Sequence, residues 1–184
     1  IHFGSIGVAN ECMYIIEGAK LLKNNPNIEF IFIGGGSAEK ELSNECQSHN
    51  LNSVHFLGNH PLKSVSEIVN FCDVSIVSFK DLPILYTNSP NKLFDSISAG
   101  KPIILNSNGW TRNLVEKNKC GFYVDPNCPN QLAEKIIFLK NNPVLKEKMG
   151  KMSRKLAEEK YDKNILCAKF TNIIKKIENV QKLP

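Results

Sequence analysis

The sequence predicts an α/β domain: a doubly wound parallel sheet of about six strands, helices on both faces and a helical C-terminal end. Three observations carry this expectation. Short apolar runs alternate with helix-like stretches up to Val124. Gly and Pro punctuate the junctions between them. After Asp125 only helical periodicity remains.

Taken in order, Ile1-His2-Phe3-Gly4-Ser5 reads as the first strand. Cys12 to Leu22 reads as a helix with Ile15, Ile16, Ala19 and Leu22 on one face. Ile28 to Ile33 is a second strand, stopped by Gly34-Gly35-Gly36. Ala38 to His49 is a polar helix, Val54 to Leu57 a third strand, Leu62 to Phe71 a helix, and Val74 to Val77 a fourth strand. A short helix follows Pro90 and is broken by Gly100 and Pro102; Ile103-Ile104-Leu105 is the next strand. A helix near Arg112 to Lys117 leads to Phe122-Tyr123-Val124. In the tail, Leu132, Ile136 and Leu139 share one face, and Leu166, Phe170, Ile173, Ile174 and Ile177 share another, with Asn141-Asn142-Pro143 between the helices. Parallel strands need crossovers of one hand, which winds such a chain into a sheet covered on both sides.

At 184 residues the chain is expected to be one domain, 1–184, with a substantial core. Its 42% apolar and 22% charged content is that of an ordinary globular protein. No apolar run approaches the length of a membrane span. The opening directly in a strand, without an initiator Met or a signal peptide, suggests a piece of a longer protein. Six cysteines, at 12, 46, 72, 120, 128 and 167, include no Cys-x-x-Cys pair, so buried thiols in a reducing cytoplasm are expected rather than a zinc site. Net charge is +5, from 21 Lys but only Arg112 and Arg154, which argues against a nucleic-acid partner. Residues 134–182 carry thirteen Lys or Arg against six Asp or Glu. That excess reads as a solvated helical surface, or as attraction to an anionic membrane or a lipid diphosphate.

The most informative stretch is Ser89-Pro90-Asn91-Lys92-Leu93-Phe94-Asp95-Ser96-Ile97-Ser98-Ala99-Gly100-Lys101-Pro102-Ile103-Ile104. Ser89 is placed to cap a helix and Pro90 suits its first turn. A helix N-terminus aims N–H groups and a positive dipole end at whatever faces it, which suits a phosphate. Lys92 adds a full charge there. Asp95, nearly one turn deeper, can accept hydrogen bonds from sugar hydroxyls. Cation first and carboxylate a turn later is what a ribonucleoside diphosphate requires.

This stretch resembles the donor-binding segment of the two-domain glycosyltransferases of GT-B fold, in particular the large retaining family 4. Members often read Pro-Ser-Lys-Leu-Phe/Tyr-Glu, then Ala-Gly-Lys-Pro-Val-Ile; here Asn91 stands for Ser and Asp95 for Glu. The order of elements also fits that family's C-terminal, Rossmann-like, nucleotide-sugar-binding domain, whose helical end packs on the sheet and whose last helix often returns to the N-terminal domain.

The resemblance implies nucleotide-sugar contacts at Gly4, Ser5, Gly34, Leu57, Gly58, His60, Ser89, Asn91, Lys92, Leu93 and Asp95. The Gly4-to-Gly7 loop would let backbone approach the diphosphate. Ser5 and Asn10 stand where many members carry an Arg and a Lys that grip it. Gly34-Gly35-Gly36 matches a glycine-rich turn near the cleft. Phe56-Leu57-Gly58-Asn59-His60 matches the segment that cups the base, with its backbone rather than the His60 side chain in the functional role. Thr87 stands at the place of the usual first acidic residue, with seven residues between it and Asp95, and Asp81 lies in the same loop; the catalytic residues are left unassigned. No Asp-x-Asp motif occurs, and the family usually needs no metal and no cofactor.

The implied function is transfer of a sugar from a nucleotide-sugar, with UDP the expected nucleotide, to a saccharide or lipid-linked acceptor with retention. The implied setting is bacterial polysaccharide assembly in the cytoplasm, at the inner face of the membrane, with peripheral membrane contact. This chain would supply donor binding, and its own N-terminal domain would supply the acceptor side. Two alternatives stand beside this: a GT-B sugar-nucleotide epimerase, and a nucleotide-binding module without catalysis.

Overall fold

The computed structural model describes residues 1–181, so Lys182 of the basic tail lies outside the described residues. The strands are β1 (His2–Phe3), β2 (Phe30–Ile33), β3 (Val54–Phe56), β4 (Ser75–Val77), β5 (Ile103–Leu105) and β6 (Gly121–Tyr123). The helices are α1 (Cys12–Leu21), α2 (Glu39–Ser48), α3 (Leu62–Phe71), α4 (Asn91–Ser98), α5 (Trp110–Lys117), α6 (Pro129–Asn141), α7 (Pro143–Leu156) and α8 (Lys163–Gln181). Element types and order agree with the sequence reading. Boundaries shift: β1 and β2 begin later than expected, α5 begins two residues earlier, and the link before α4 contains a 3₁₀ turn, Pro83–Thr87, that periodicity did not signal.

All strand pairs are parallel, in two ladders ordered β1-β2-β3 and β4-β5-β6. The ladders abut along β1 and β4. Ile1 N donates to the Val74 carbonyl and Ile76 N to the Ile1 carbonyl, both at 2.8 Å, the slanted pattern of a parallel pair. The spatial order is therefore β3-β2-β1-β4-β5-β6. Chain direction reverses its march across the sheet between β1 and β4, and α/β sheets open a crevice at that point.

Strand residues alternate between two buried faces. Phe30 and Phe32 of β2, Ile76 of β4 and Ile104 of β5 pack with Ile15, Ile16 and Ala19 of α1 and with Leu132 and Leu139 of α6. Val77, Ile103 and Leu105 turn the other way, onto Leu93 and Ile97 of α4, Val115 of α5 and Leu156 of α7. Phe3 and Ile33 share a smaller cluster with Val69 of α3. Burial on both faces explains why the strands read as apolar runs. Of the cysteines, 12, 46 and 120 are buried within these clusters.

The loops at the carboxyl ends of β1, β2 and β3 are laced together by backbone. Gly4 N donates to Ile33 O at 2.8 Å, Ile6 N to Gly35 O at 3.0 Å and Gly34 N to Gly58 O at 2.8 Å. Gly34 has φ +121°, and a Cβ there would stand 1.9 Å from the Gly4 carbonyl oxygen. Gly34→Ala is therefore expected to destabilise the fold by at least about 1–3 kcal/mol, read as a lower urea midpoint at unchanged slope. Gly58, also at positive φ (+71°), has open space around it; Gly58→Asn should cost less than about 1 kcal/mol in the same assay, since Asn adopts this conformation readily.

Candidate functional site

A cleft of about 360 Å³ lies at the carboxyl ends of β1 and β4, lined by Phe3, Gly4, Ser5, Asn10, Phe79, Asn88 to Lys92 and Asp95. Two segments build it. One is the loop after β1, whose 3₁₀ turn Val8–Asn10 is fastened to the strand β4 exit by Ser78 Oγ donating to Asn10 O at 2.6 Å and Lys80 N to Ala9 O at 3.0 Å. The other is the start of α4. A groove of about 380 Å³ lies at the opposite ends of the strands, between Phe30, Phe71, Val74 and Lys146. Lys140 and Lys146 line that groove, and Lys146 pairs with Asp73.

The start of α4 differs from expectation in detail. Pro90, with extended backbone (φ −76°, ψ 121°), holds the N-cap place, and no side chain caps the helix. Ser89 is exposed one residue earlier. The first amides of α4 therefore remain available at the cleft. Leu93 and Ile97 anchor the helix in the core, fully buried, and set its rotation. That rotation turns Lys92 toward β1.

Lys92 Nζ donates to Asn10 Oδ1 at 2.7 Å and lies 3.3 Å from His2 Nε2 and 5.3 Å from the centre of the Phe79 ring. Among the described residues no carboxylate lies within ion-pair distance of it. Burial pulls the Lys92 ammonium down to about 8. His2 is fully buried, and burial together with the Lys92 charge holds its imidazole down to about 3, so it is neutral. Burial pushes the Cys12 thiol, 3.5 Å from the same His2 nitrogen, up to about 11, so it is neutral too. Lys92 is thus a cation among neutral groups. Such a charge is costly unless something pairs with it. One turn on, Asp95 stands at the cleft wall, and partial burial raises its carboxyl above the ordinary range.

The cleft gathers Gly4, Ser5, Ser89, Asn91, Lys92 and Asp95 of the residues singled out by sequence. Gly34 is not in the wall but behind it, supporting Gly4. Leu57, Gly58 and His60 form a neighbouring rim after β3, where His60 Nε2 donates to Leu57 O at 3.0 Å and the imidazole is exposed. Leu93 is a core residue rather than a wall residue, because the α4 rotation that exposes Lys92 buries it. Thr87 is exposed outside the cleft wall, its hydroxyl donating to Ile84 O at 3.0 Å. Asp81 is taken by Tyr86, which donates to it, and by Asn127 at 3.4 Å. His2 was missed. Its signal was a titratable residue between Ile1 and Phe3 in a strand with no polar face.

Residues 9–156 match the family model of glycosyl transferases group 1. The chain belongs to that family. Spore coat protein SA of Bacillus subtilis (strain 168) is 28% identical over 156 residues, 77% of this chain and 38% of that protein. Poly(ribitol-phosphate) alpha-N-acetylglucosaminyltransferase of Staphylococcus aureus (strain COL) is 24% identical over 161 residues, 86% of this chain and 31% of that protein. The chain thus spans under two fifths of the length of these relatives. Among solved structures, Anabaena Alr3699/HepE in complex with UDP superposes with TM-score 0.84 at 18% identity, over 95% of this chain and 48% of that one. The C-terminal domain of the group 1 glycosyl transferase LpcC from Francisella tularensis superposes with TM-score 0.74 at 18% identity, over 88% and 86%. The glycosyltransferase resemblance and the doubly wound fold read from sequence both hold.

The unpaired charge has a measurable cost. Between about 8 and the ordinary lysine value of 10.5 the folded chain binds fewer protons at Lys92 than the unfolded chain. This group's contribution therefore makes stability rise with pH across that window, and its penalty is fully present below about 8. Lys92→Met should be more stable than the parent at pH 7, with the difference shrinking toward pH 10. Paired urea melts over that range check it.

Proposed function

We propose that this chain binds the nucleoside diphosphate of a nucleotide-sugar, and that the whole protein transfers the sugar to a saccharide or lipid-linked acceptor with retention of configuration. One observation carries the reading: Lys92, a partly buried cation without a counter-charge, at an uncapped helix start in the crevice where the sheet order reverses. A diphosphate completes that site. Family membership supports transfer chemistry, and UDP is the proposed nucleotide because the superposed Alr3699/HepE structure is a UDP complex.

The chemistry follows from the charges. As the sugar leaves, negative charge builds on the outer phosphate. On this reading Lys92 and the uncapped α4 amides meet that charge, and because the fold already orients them they stabilise it with little reorganisation. This is the role a metal plays elsewhere, and the proposed transfer uses none. Asp95, one turn deeper on the same helix, is placed for hydroxyls of the ribose or the sugar.

The acceptor side is assigned to the protein's own N-terminal domain. Leu166, Phe170, Ile173, Ile174 and Ile177 of α8 form an exposed apolar stripe, Phe170 at 66% exposure, and that domain is the proposed cover. Among the described residues no helix is long and apolar enough to cross a membrane. The proposed place is the cytoplasmic face of a membrane, with the Lys-rich tail toward it. A second reading, nucleotide binding without transfer, is favoured by one fact: among the described residues Asp95 is the only carboxylate in the cleft wall.

The chain is expected to bind UDP at micromolar to millimolar strength by calorimetry or NMR. No response to UDP, GDP or ADP at millimolar ligand would refute the donor site. Lys92→Ala should weaken UDP by about 1.5–3 kcal/mol while sparing uridine; Asp95→Asn should weaken uridine and UDP alike. Acceptor-dependent UDP release should require the full-length protein. Full-length protein that binds UDP yet releases none from UDP-sugars would favour the non-catalytic reading.

A further inference from the structure

The groups that hold Lys92 lie far from it in the chain. Asn10 comes from the loop after β1, His2 from β1 itself, and Cys12 stands behind His2 at the first turn of α1. Each is itself held. Asn10 is nearly buried and its carbonyl is bound by Ser78. The His2 ring lies 5.8 Å from the Phe32 ring in the core. An ammonium has three N–H bonds and no lone pair. Asn10 Oδ1 accepts one of them at 2.7 Å and His2 Nε2 stands 3.3 Å from the nitrogen for a second, which leaves at least one for the cleft.

The geometry points to His2 and Asn10 as positioning residues of the diphosphate site, a pair of neutral acceptors that aim the Lys92 ammonium without neutralising it. The inference rests on the proposed donor site. Neutrality is the decisive property. A carboxylate in either place would form an ion pair with Lys92 and compete with the phosphate. An apolar side chain would leave a long, flexible lysine free to swing into water. His2 performs this role only in the tautomer with its proton on Nδ1, a buried atom that meets no acceptor among the described residues, and with the Nε2 lone pair toward Lys92 at 3.3 Å, where Cys12 Sγ also approaches at 3.5 Å. The groups facing Lys92 keep to the same rule: burial leaves His2 uncharged and the Cys12 thiol protonated, and Phe79 offers only a ring face.

The test is a double-mutant cycle on the 184-residue chain, with UDP and uridine titrated by NMR. Asn10→Ala and His2→Leu should each weaken UDP about two- to tenfold and leave uridine unchanged. In a Lys92→Gln background neither should weaken UDP further. Asn10→Asp should also weaken UDP, although it keeps an acceptor in place, because it neutralises the cation. His2→Gln, a neutral acceptor, should retain more UDP affinity than His2→Leu. Equal losses with and without Lys92, equal losses for uridine, or UDP binding undiminished in Asn10→Asp would each overturn the assignment. Should His2→Leu fail to fold, the Asn10 cycle decides alone. Lys92→Gln binding UDP like the parent would instead refute the donor site, a separate result.

Discussion

A partly buried ammonium group, with no carboxylate at ion-pair distance among the described residues, sets the character of this domain's cleft. Lys92 sits at the start of α4, against β1 and the loop that follows it, with only neutral groups around it. The core supplies the anchoring that keeps it there: Leu93 and Ile97 are fully buried on the adjoining face of the same short helix. On the proposed reading, binding energy for an anion is held ready in the fold. It costs stability in the absence of ligand and needs little rearrangement in its presence.

That arrangement depends on how the two ladders meet. β1 is two residues long, and its seam with β4 is made by Ile1 bonding to Val74 and Ile76. Beyond the seam the chain on both sides turns away, and the crevice opens. The glycine-bearing turns after β1, β2 and β3 brace its wall through backbone alone, with Gly34 so close behind Gly4 that no side chain fits between. That side of the wall is tied to the sheet through backbone hydrogen bonds.

On the proposed reading, the cleft is half of a site in chemical terms as well. Among the described residues its wall offers one cation, a set of amides and hydroxyls, and one carboxylate, the groups that the proposed diphosphate and sugar would meet. Thr87 and Asp81 do not add to it, since each is occupied within the loop that precedes α4. The apolar stripe of α8 faces outward. Both features fit a domain whose chemistry is completed by another part of the protein.

The sequence by itself determined the element order, the parallel α/β class and the Lys92–Asp95 pair, because these rest on local signals. Apolar runs, Gly and Pro breaks and a one-turn spacing are all visible within a dozen residues. The glycines at 4, 34 and 58 were also legible as turns after strands. Only the tertiary structure decided what surrounds Lys92. His2 and Asn10 lie 90 and 82 positions away in the chain, and no local pattern links residues at that separation. It also decided that Leu93 belongs to the core, that Pro90 rather than Ser89 occupies the cap place, and that Thr87 stays outside the cleft wall. The burial of Leu93 follows from the rotation of one eight-residue helix, which packing against β4 and β5 sets, and the place of Thr87 from the turn that precedes that helix. Helix rotation and charge environment are collective properties of the packed fold, so they became readable only once the chain was seen closed on itself.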